Sequence, residues 1–379
     1  MQTKVLLGML WGLACCGIAQ AELIRVGPTG PVRTLAEAAR VAHDGDIVEL
    51  PPGELRGEVA VWTQASLTIR GAKDGTTLIA DGQAAEGKGI FVVRGGTMLI
   101  EGITFTGARV GDQNGAGIRL EAGALTVKGC RFIDNQNGIL TSNNKTVSLV
   151  IENSEFSHNG AGDGQSHNLY VGEIARLEVS GSYFRQARVG HLLKSRARVN
   201  LITYNRLTDE VNGQASYELE FPAGGRAMVI GNLIQQAATT ENPNIVAYGA
   251  EGYKYPDNEL ILAYNTLVDD RSSGGNFLKI APGSVRVVAV NNLLVGGKGA
   301  FEGLPAEAKL VNNLALGRDA FANPANYDYR LRVNAASRLK APLPEDAALA
   351  PLNEYVYPVG MRALSGPPRL PGAFQSVGK

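Results

Sequence analysis

"ITYNRL" at 202–207, "VIGNLI" at 229–234, "LAYNTL" at 262–267 and "AVNNLL" at 289–294 repeat one design: alternating apolar residues, an Asn, then a large apolar residue two places on. Alternation with a period of two marks a strand with one buried face, and no helical spacing runs through these stretches. Toward the N-terminus looser copies follow the same plan: "LIEGITF" at 99–105, "TVKGCRF" at 126–132, "VIENSEF" at 150–156 and "EVSGSYF" at 178–184. The copies recur roughly every 23 to 33 residues, and such a period with short strands is the signature of a solenoid.

Each copy is preceded by a second short apolar run, such as "GIRLE" at 117–121, "NLYVG" at 168–172, "HLLKS" at 191–195 and "NIVAY" at 244–248. Every turn of the solenoid therefore offers about three strands: this one, the one ending at the Gly or Asn, and the one carrying the large apolar residue. Three strands per period predict an all-β, right-handed parallel β-helix of about 9–10 coils. A leucine-rich repeat would show fewer strands and denser leucines. The column Asn153, Asn205, Asn232, Asn265 and Asn292 is expected at a sharp bend. Asn tolerates left-handed backbone angles there, and stacked Asn side chains can bond to neighbouring turns.

The flanks read differently. "TLAEAARVA" at 34–42 has helical spacing, and "GDIVELPPGEL" at 45–55 reads as turn, strand, turn. A helix over the open end of the solenoid blocks edge-to-edge association. The run "TLAEAARVAHDGDIVELPPGEL" with "LTIRGAKDGTTLIADG" at 67–82 resembles the opening segment of exported β-helix proteins of the pectin-lyase-like superfamily. The likeness covers most of residues 24–316 and carries the fold, not the reaction. The expected organisation is a signal peptide at 1–21, a cap with its first strands at 22–66, the β-helix at 67–317 and a Pro-rich irregular tail at 318–379. In that tail "NYDYRL" at 326–331 resembles tails of the same superfamily.

Composition narrows the function. With 36 Lys and Arg against 36 Asp and Glu, the formal net charge is zero, which argues against a nucleic-acid partner. The first residues, "MQTKVLLGMLWGLACCGIAQA", have one lysine, an apolar run and a small-x-small end, the pattern of a secretory signal cleaved before Glu22. No later segment is apolar enough to insert in a membrane. Cleavage leaves Cys130 as the only cysteine, so stability must come from the core without an internal disulfide. The expectation is an exported monomer, periplasmic or secreted.

Loops on a rigid scaffold are where sites lie. The variable turns that precede the "GI-x-L" strands should stack on one side and gather the unusual residues. These are His158 and His167 in one turn, then Arg185, Arg188 and His191, then Lys194 and Arg196 in "GHLLKSRARVN" at 190–200. Tyr217, Glu218 and Glu220 of "SYELEF" come from the next coil, and Asn242, Tyr248 and Glu251 from the one after. Adjacent strands lie about 4.8 Å apart, so four coils span roughly 15–20 Å, room for several sugar units. Alternation puts Glu218 and Glu220 outward beside Lys194 and Arg196, with Tyr217 inward and His191 at the turn.

Charges of both signs in one groove suit an acidic polysaccharide, cleaved by β-elimination. That reaction needs a cation on the uronate carboxylate, a base for the adjacent C5 proton and an acid for the leaving oxygen. Arg196 or Arg188 is assigned the first role, Lys194 or His191 the second and Tyr217 the third. His167, Tyr170, Arg188, Glu220, Asn242 and Tyr248 are expected to line the substrate. Glu218 and Glu220 could instead hold a calcium ion, and no other cofactor is implied. Hydrolysis by Glu218 and Glu220 as paired carboxyls, uronate epimerisation, and non-catalytic glycan binding or a surface-structural role are the alternatives. The chain lacks the "GHG" and aspartate-rich motifs of polygalacturonase-like relatives and the "DPHD" motif of alginate epimerases, so no catalytic pattern transfers residue by residue. In the bland reading, Lys194 and Arg196 form an ion ladder with the two glutamates, and Asp269, Asp270 and Arg271 are a solvated turn. A zinc enzyme is not expected, since no two histidines have ligand spacing and Cys130 reads as core.

Overall fold

The computed structural model describes residues 21–296 and 301–378, so the expected signal segment lies outside the described residues except for Ala21. Its strands follow the predicted rhythm and pair in parallel from coil to coil, building a β-helix of about 10 turns. One class of strand carries the runs such as Leu169–Val171, Leu193–Ser195 and Asn244–Tyr248, and forms a first face. A second carries Arg176–Ser180, Val199–Thr203 and Arg226–Ile230. The third carries Tyr183–Arg185, Arg206–Thr208 and Leu233–Gln236. The first two faces belong to one 20-stranded sheet, because Gly89–Glu101 and Ala116–Lys128 run unbroken through both; the third face is a separate 11-stranded sheet.

The tight bend between the second and third faces is built by two adjacent positions. The left-handed residue is Tyr204, Gly231, Tyr264 or Asn291, with φ of 56°, 68°, 53° and 56°. The Asn that follows is buried and ladders along the axis. Each donates Nδ2–H to the Oδ1 of the next, at 3.0 Å for Asn205 to Asn232, Asn232 to Asn265 and Asn265 to Asn292. Its own Oδ1 also accepts a backbone N–H, so a fully buried amide keeps its partners, which a core position demands. Asn153 departs from the expected column. It takes the left-handed position itself, at φ 49°, and Ser154 occupies the ladder position instead.

Inside, side chains stack in register. Phe105, Phe132, Phe156 and Phe184 lie ring on ring at 5.1, 4.7 and 4.6 Å between centroids, one per coil on the third face. Cys130 is buried in the same core, as expected of a free cysteine in an apolar column. The helix Leu35–Val41 packs its buried Leu35 and Ala38 on the N-terminal end, held by a capping box between Thr34 and Glu37. From Phe321 onward the chain lies along the third face, where Phe321, Tyr329 and Leu331 cover Leu233, Val268, Leu293 and Val295. Among the described residues no helix is long and apolar enough to cross a membrane.

Candidate functional site

The parallel register sets the site. Leu140, Tyr170, Lys194, Glu220, Ala247 and Lys279 occupy one outward column on the first face. Three positions earlier in each coil, at the corner, His167, His191 and Tyr217 stack in a second column, with centroids 4.4 and 4.9 Å apart. The two columns meet where His191 Nε2 lies 2.8 Å from Glu220 Oε2. Lys194 Nζ is 3.3 Å from the same oxygen.

A loop closes one wall. After Asn244–Tyr248 the chain does not turn at once but folds back through residues 249–258 over the three preceding coils, reaching Ala223, Arg196 and Glu173. Glu251 grips the Arg196 fork at 2.7 and 2.6 Å and lies 3.2 Å from Lys194 Nζ. Lys254 pairs with Glu173 at 2.9 Å, and Tyr255 donates its hydroxyl to the Arg196 carbonyl at 2.6 Å. Lys194 and Arg196 also lie 5.9 and 5.2 Å from the centre of the Tyr170 ring, close enough for a cation–π attraction.

The result is layered. Tyr170, Tyr217, Lys194, Arg196 and Glu251 reach the surface, whereas His167, His191 and Glu220 lie beneath, at 1 %, 5 % and 4 % exposure. Burial drives both histidines below their ordinary pKa; for His167 the neighbouring His191 ring and the positive Lys194 and Arg196 add to it, and for His191 burial outweighs the opposing Glu220 carboxylate. Both imidazoles are therefore neutral at pH 7. The His167 ring carries its proton on Nε2, because Nδ1 accepts the His191 backbone N–H at 2.9 Å. Burial pushes Glu220 up, but the His191 hydrogen bond and the nearby Lys194 hold it below the usual carboxylate range. The Arg196 hydrogen bonds take Glu251 down to about 2 against its burial, with Lys194 assisting.

Four expectations are corrected. Glu218 is fully buried, not outward: at the corner both Glu218 and Leu219 turn inside, because the chain bends there and breaks the alternation. The pair Glu218 and Glu220 thus stands on opposite sides of the sheet and can neither flank one glycosidic bond nor share one calcium ion. The ion ladder runs from Lys194 to Glu220 and from Arg196 to Glu251, and Glu218 has no part in it. Tyr217, expected inward, is partly exposed against His191. Tyr248 is buried in the core with its hydroxyl donated to the Gly225 carbonyl, so it lines no groove.

Two further residues stay out of the cluster. Arg188 pairs with Asp134 at 2.6 Å, alongside Arg109. Asn242 braces its own turn, accepting the Asn244 N–H at 3.0 Å. Asp269 is buried, not solvated, while Asp270 pairs with Arg318 of the tail. Glu251, gathered on this side by the sequence, is the residue whose role it left open: its partner Arg196 lies 55 positions away, and nothing local announces that loop 249–258 doubles back. Among the described residues no group of three or more His, Cys, Asp or Glu is arranged to hold a metal ion.

The family comparison agrees on architecture. Residues 62–184 match the family described as "Right handed beta helix region". Similar solved structures include an alginate lyase from Paenibacillus sp. str. FPU-7, at 16% identity and a TM-score of 0.49, covering 78% of this chain and 99% of that one. Pectate lyase Pel9A is 12% identical with a TM-score of 0.49, over 94% of this chain and 97% of its own. No curated protein sequence matches the chain. With its three parallel faces, its Asn ladder and that family match, the chain has a right-handed parallel β-helix fold.

Proposed function

We propose that the protein is exported, binds an acidic polysaccharide along its first face and cleaves it by β-elimination. One observation carries this reading: Lys194 and Arg196 stand side by side on the outward face and already share one carboxylate, that of Glu251. A seat that fits a glutamate carboxylate fits a uronate carboxylate, and Arg presents the planar fork that such a group prefers. A uronate bound there exchanges with Glu251, and its charge is neutralised where the C5 proton must be lost.

In this mechanism Lys194, in its free-amine form, takes the C5 proton, and the ammonium that results is held by Glu220, whose Oε2 is shared with neutral His191. The electrons of the C5–H bond form the C4–C5 double bond, and the C4–O bond breaks. Tyr217, at the surface beside His191, protonates the departing oxygen. Neutralisation, base and acid then come from two adjacent coils with no water-derived nucleophile.

The test is absorbance near 235 nm during incubation with a panel of uronic-acid polymers. Elimination generates a conjugated uronate that absorbs there, and Lys194→Ala should abolish the rise. No rise, with new reducing ends, would put hydrolysis in its place. A second reading, glycan binding without cleavage, is favoured by the fact that Lys194 and Arg196 are both ion-paired in the free protein. It predicts retention on a polyuronate gel with neither product.

A further inference from the structure

The tail does more than cover the third face. Between it and the strands Tyr183–Arg185 and Arg206–Thr208 lies a cleft of about 660 Å³, within the range of about 300–1,000 Å³ typical of small-ligand sites. Its lining is unusual for a merely structural seam. The Arg206 guanidinium, 6 % exposed, is ringed by Tyr183, Tyr327 and Tyr357 with centroids at 4.6, 5.0 and 5.3 Å. Two of those rings come from the tail: Tyr327 from "NYDYRL" and Tyr357 from the turn between Asn353–Tyr355 and Met361–Ala363.

Polar groups in the cleft are only partly satisfied. Arg206 bonds Glu210 at 2.8 Å and Thr208 at 2.9 Å. Arg185 reaches Glu155 at 3.1 Å and Glu210 at 3.8 Å, yet its Nε is buried without an acceptor. Tyr357 keeps 66 % of its surface open to solvent at the mouth, an apolar ring left uncovered beside cations. Aromatic faces beside arginine forks are the chemistry that holds a pyranose carrying a carboxylate: the ring's C–H groups pack on the aromatic face, and the carboxylate takes the guanidinium donors.

We propose that this cleft is a second carbohydrate site, in which Tyr357 and Tyr327 pack on one acidic sugar unit and Arg185 and Arg206 receive its carboxylate. The place of the site rests on the cleft itself; the acidic class of its ligand rests also on the polysaccharide reading above. The cleft and the Lys194 cluster belong to the same coils and are joined by the turns 186–192 and 209–218. A polymer anchored in the cleft is thereby kept close to the first face.

The experiment is affinity electrophoresis of the full chain in gels containing polygalacturonate, alginate or hyaluronan, paired with thermal melts. Tyr357→Ala should weaken retention about tenfold, Tyr357→Phe should restore it, and neither should move the melting temperature appreciably. Lys194→Ala should keep residual retention that the double variant with Tyr357→Ala loses. Wild-type retention in both Tyr357→Ala and Arg185→Met would overturn the proposal, as would a loss that merely follows a fall in melting temperature. If retention vanishes in Lys194→Ala alone, the first-face reading survives and the cleft does not. If the wild type is retained by none of the polymers, both fail.

Discussion

Glu218→Met should stabilise the protein. Glu218 is fully buried, and neither carboxyl oxygen has a hydrogen-bond partner. Burial, and after it the charge of Asp209, raises its pKa well above 4.5. Asp209, itself buried with Oδ1 unpartnered, is raised by burial to about 7. An unsatisfied buried acceptor costs about 1–3 kcal/mol, and a thioether of similar length removes both oxygens. The pH dependence adds to this. A carboxyl whose folded pKa is raised contributes stability that is whole below the unfolded value. It is lost as pH rises toward the folded value, at about 1.4 kcal/mol per unit. Asp209, whose own window runs from 3.8 to about 7, is present in both proteins, so the growth of their difference with pH reports Glu218. Thermal melts of both proteins at pH 5 and pH 8 test the reasoning. The variant's advantage should grow from pH 5 to pH 8, and the difference between the two proteins cancels the histidines, which titrate in both. A variant less stable than wild type at pH 8 would mean that the Glu218 carboxylate has a partner, and the account would fall.

Two more outcomes follow from the site. Glu251→Gln should lower KM for a polyuronate several-fold while leaving kcat nearly unchanged, because the carboxylate that competes for Lys194 and Arg196 is weakened; initial rates at 235 nm decide it, and a raised KM would show that Glu251 builds the seat instead of filling it. His167 has a pKa lowered by burial first and by neighbouring cations second, so its contribution is present above about 6.5 and lost as pH falls below it. Melts from pH 7.5 down to 5.5 should therefore show a steeper loss for wild type than for His167→Gln, and parallel curves would contradict the burial assigned to that ring.

Much of this molecule was legible because a solenoid writes its geometry into its sequence at a fixed period. Leu207, Ile234, Leu267 and Leu294 each follow a ladder Asn by two and land in one column of the third face. Register errors were confined to the bends. At Asn153 the pattern slipped by one residue, since Gly, Asn and Tyr all occupy the left-handed position and only the next residue ladders. At "SYELEF" strict alternation misplaced Tyr217 and Glu218, because a corner lets two consecutive side chains point inward.

By itself the sequence determined the three-strand coil, the capping helix and the gathering of Tyr170, His191, Lys194 and Glu220 on adjacent coils. All of these are local periodicities repeated along the chain, and parallel in-register pairing converts sequence spacing directly into position. Only the tertiary structure decided which charges meet. Glu251 reaches Arg196 across 55 residues, Tyr357 reaches Arg206 from the tail, and Glu218 turns away from the groove into the core. Each of those outcomes depends on the path of a loop, the tail or a corner, where backbone direction changes without a period. No repeat encodes it there, and packing alone selects which side chains come together.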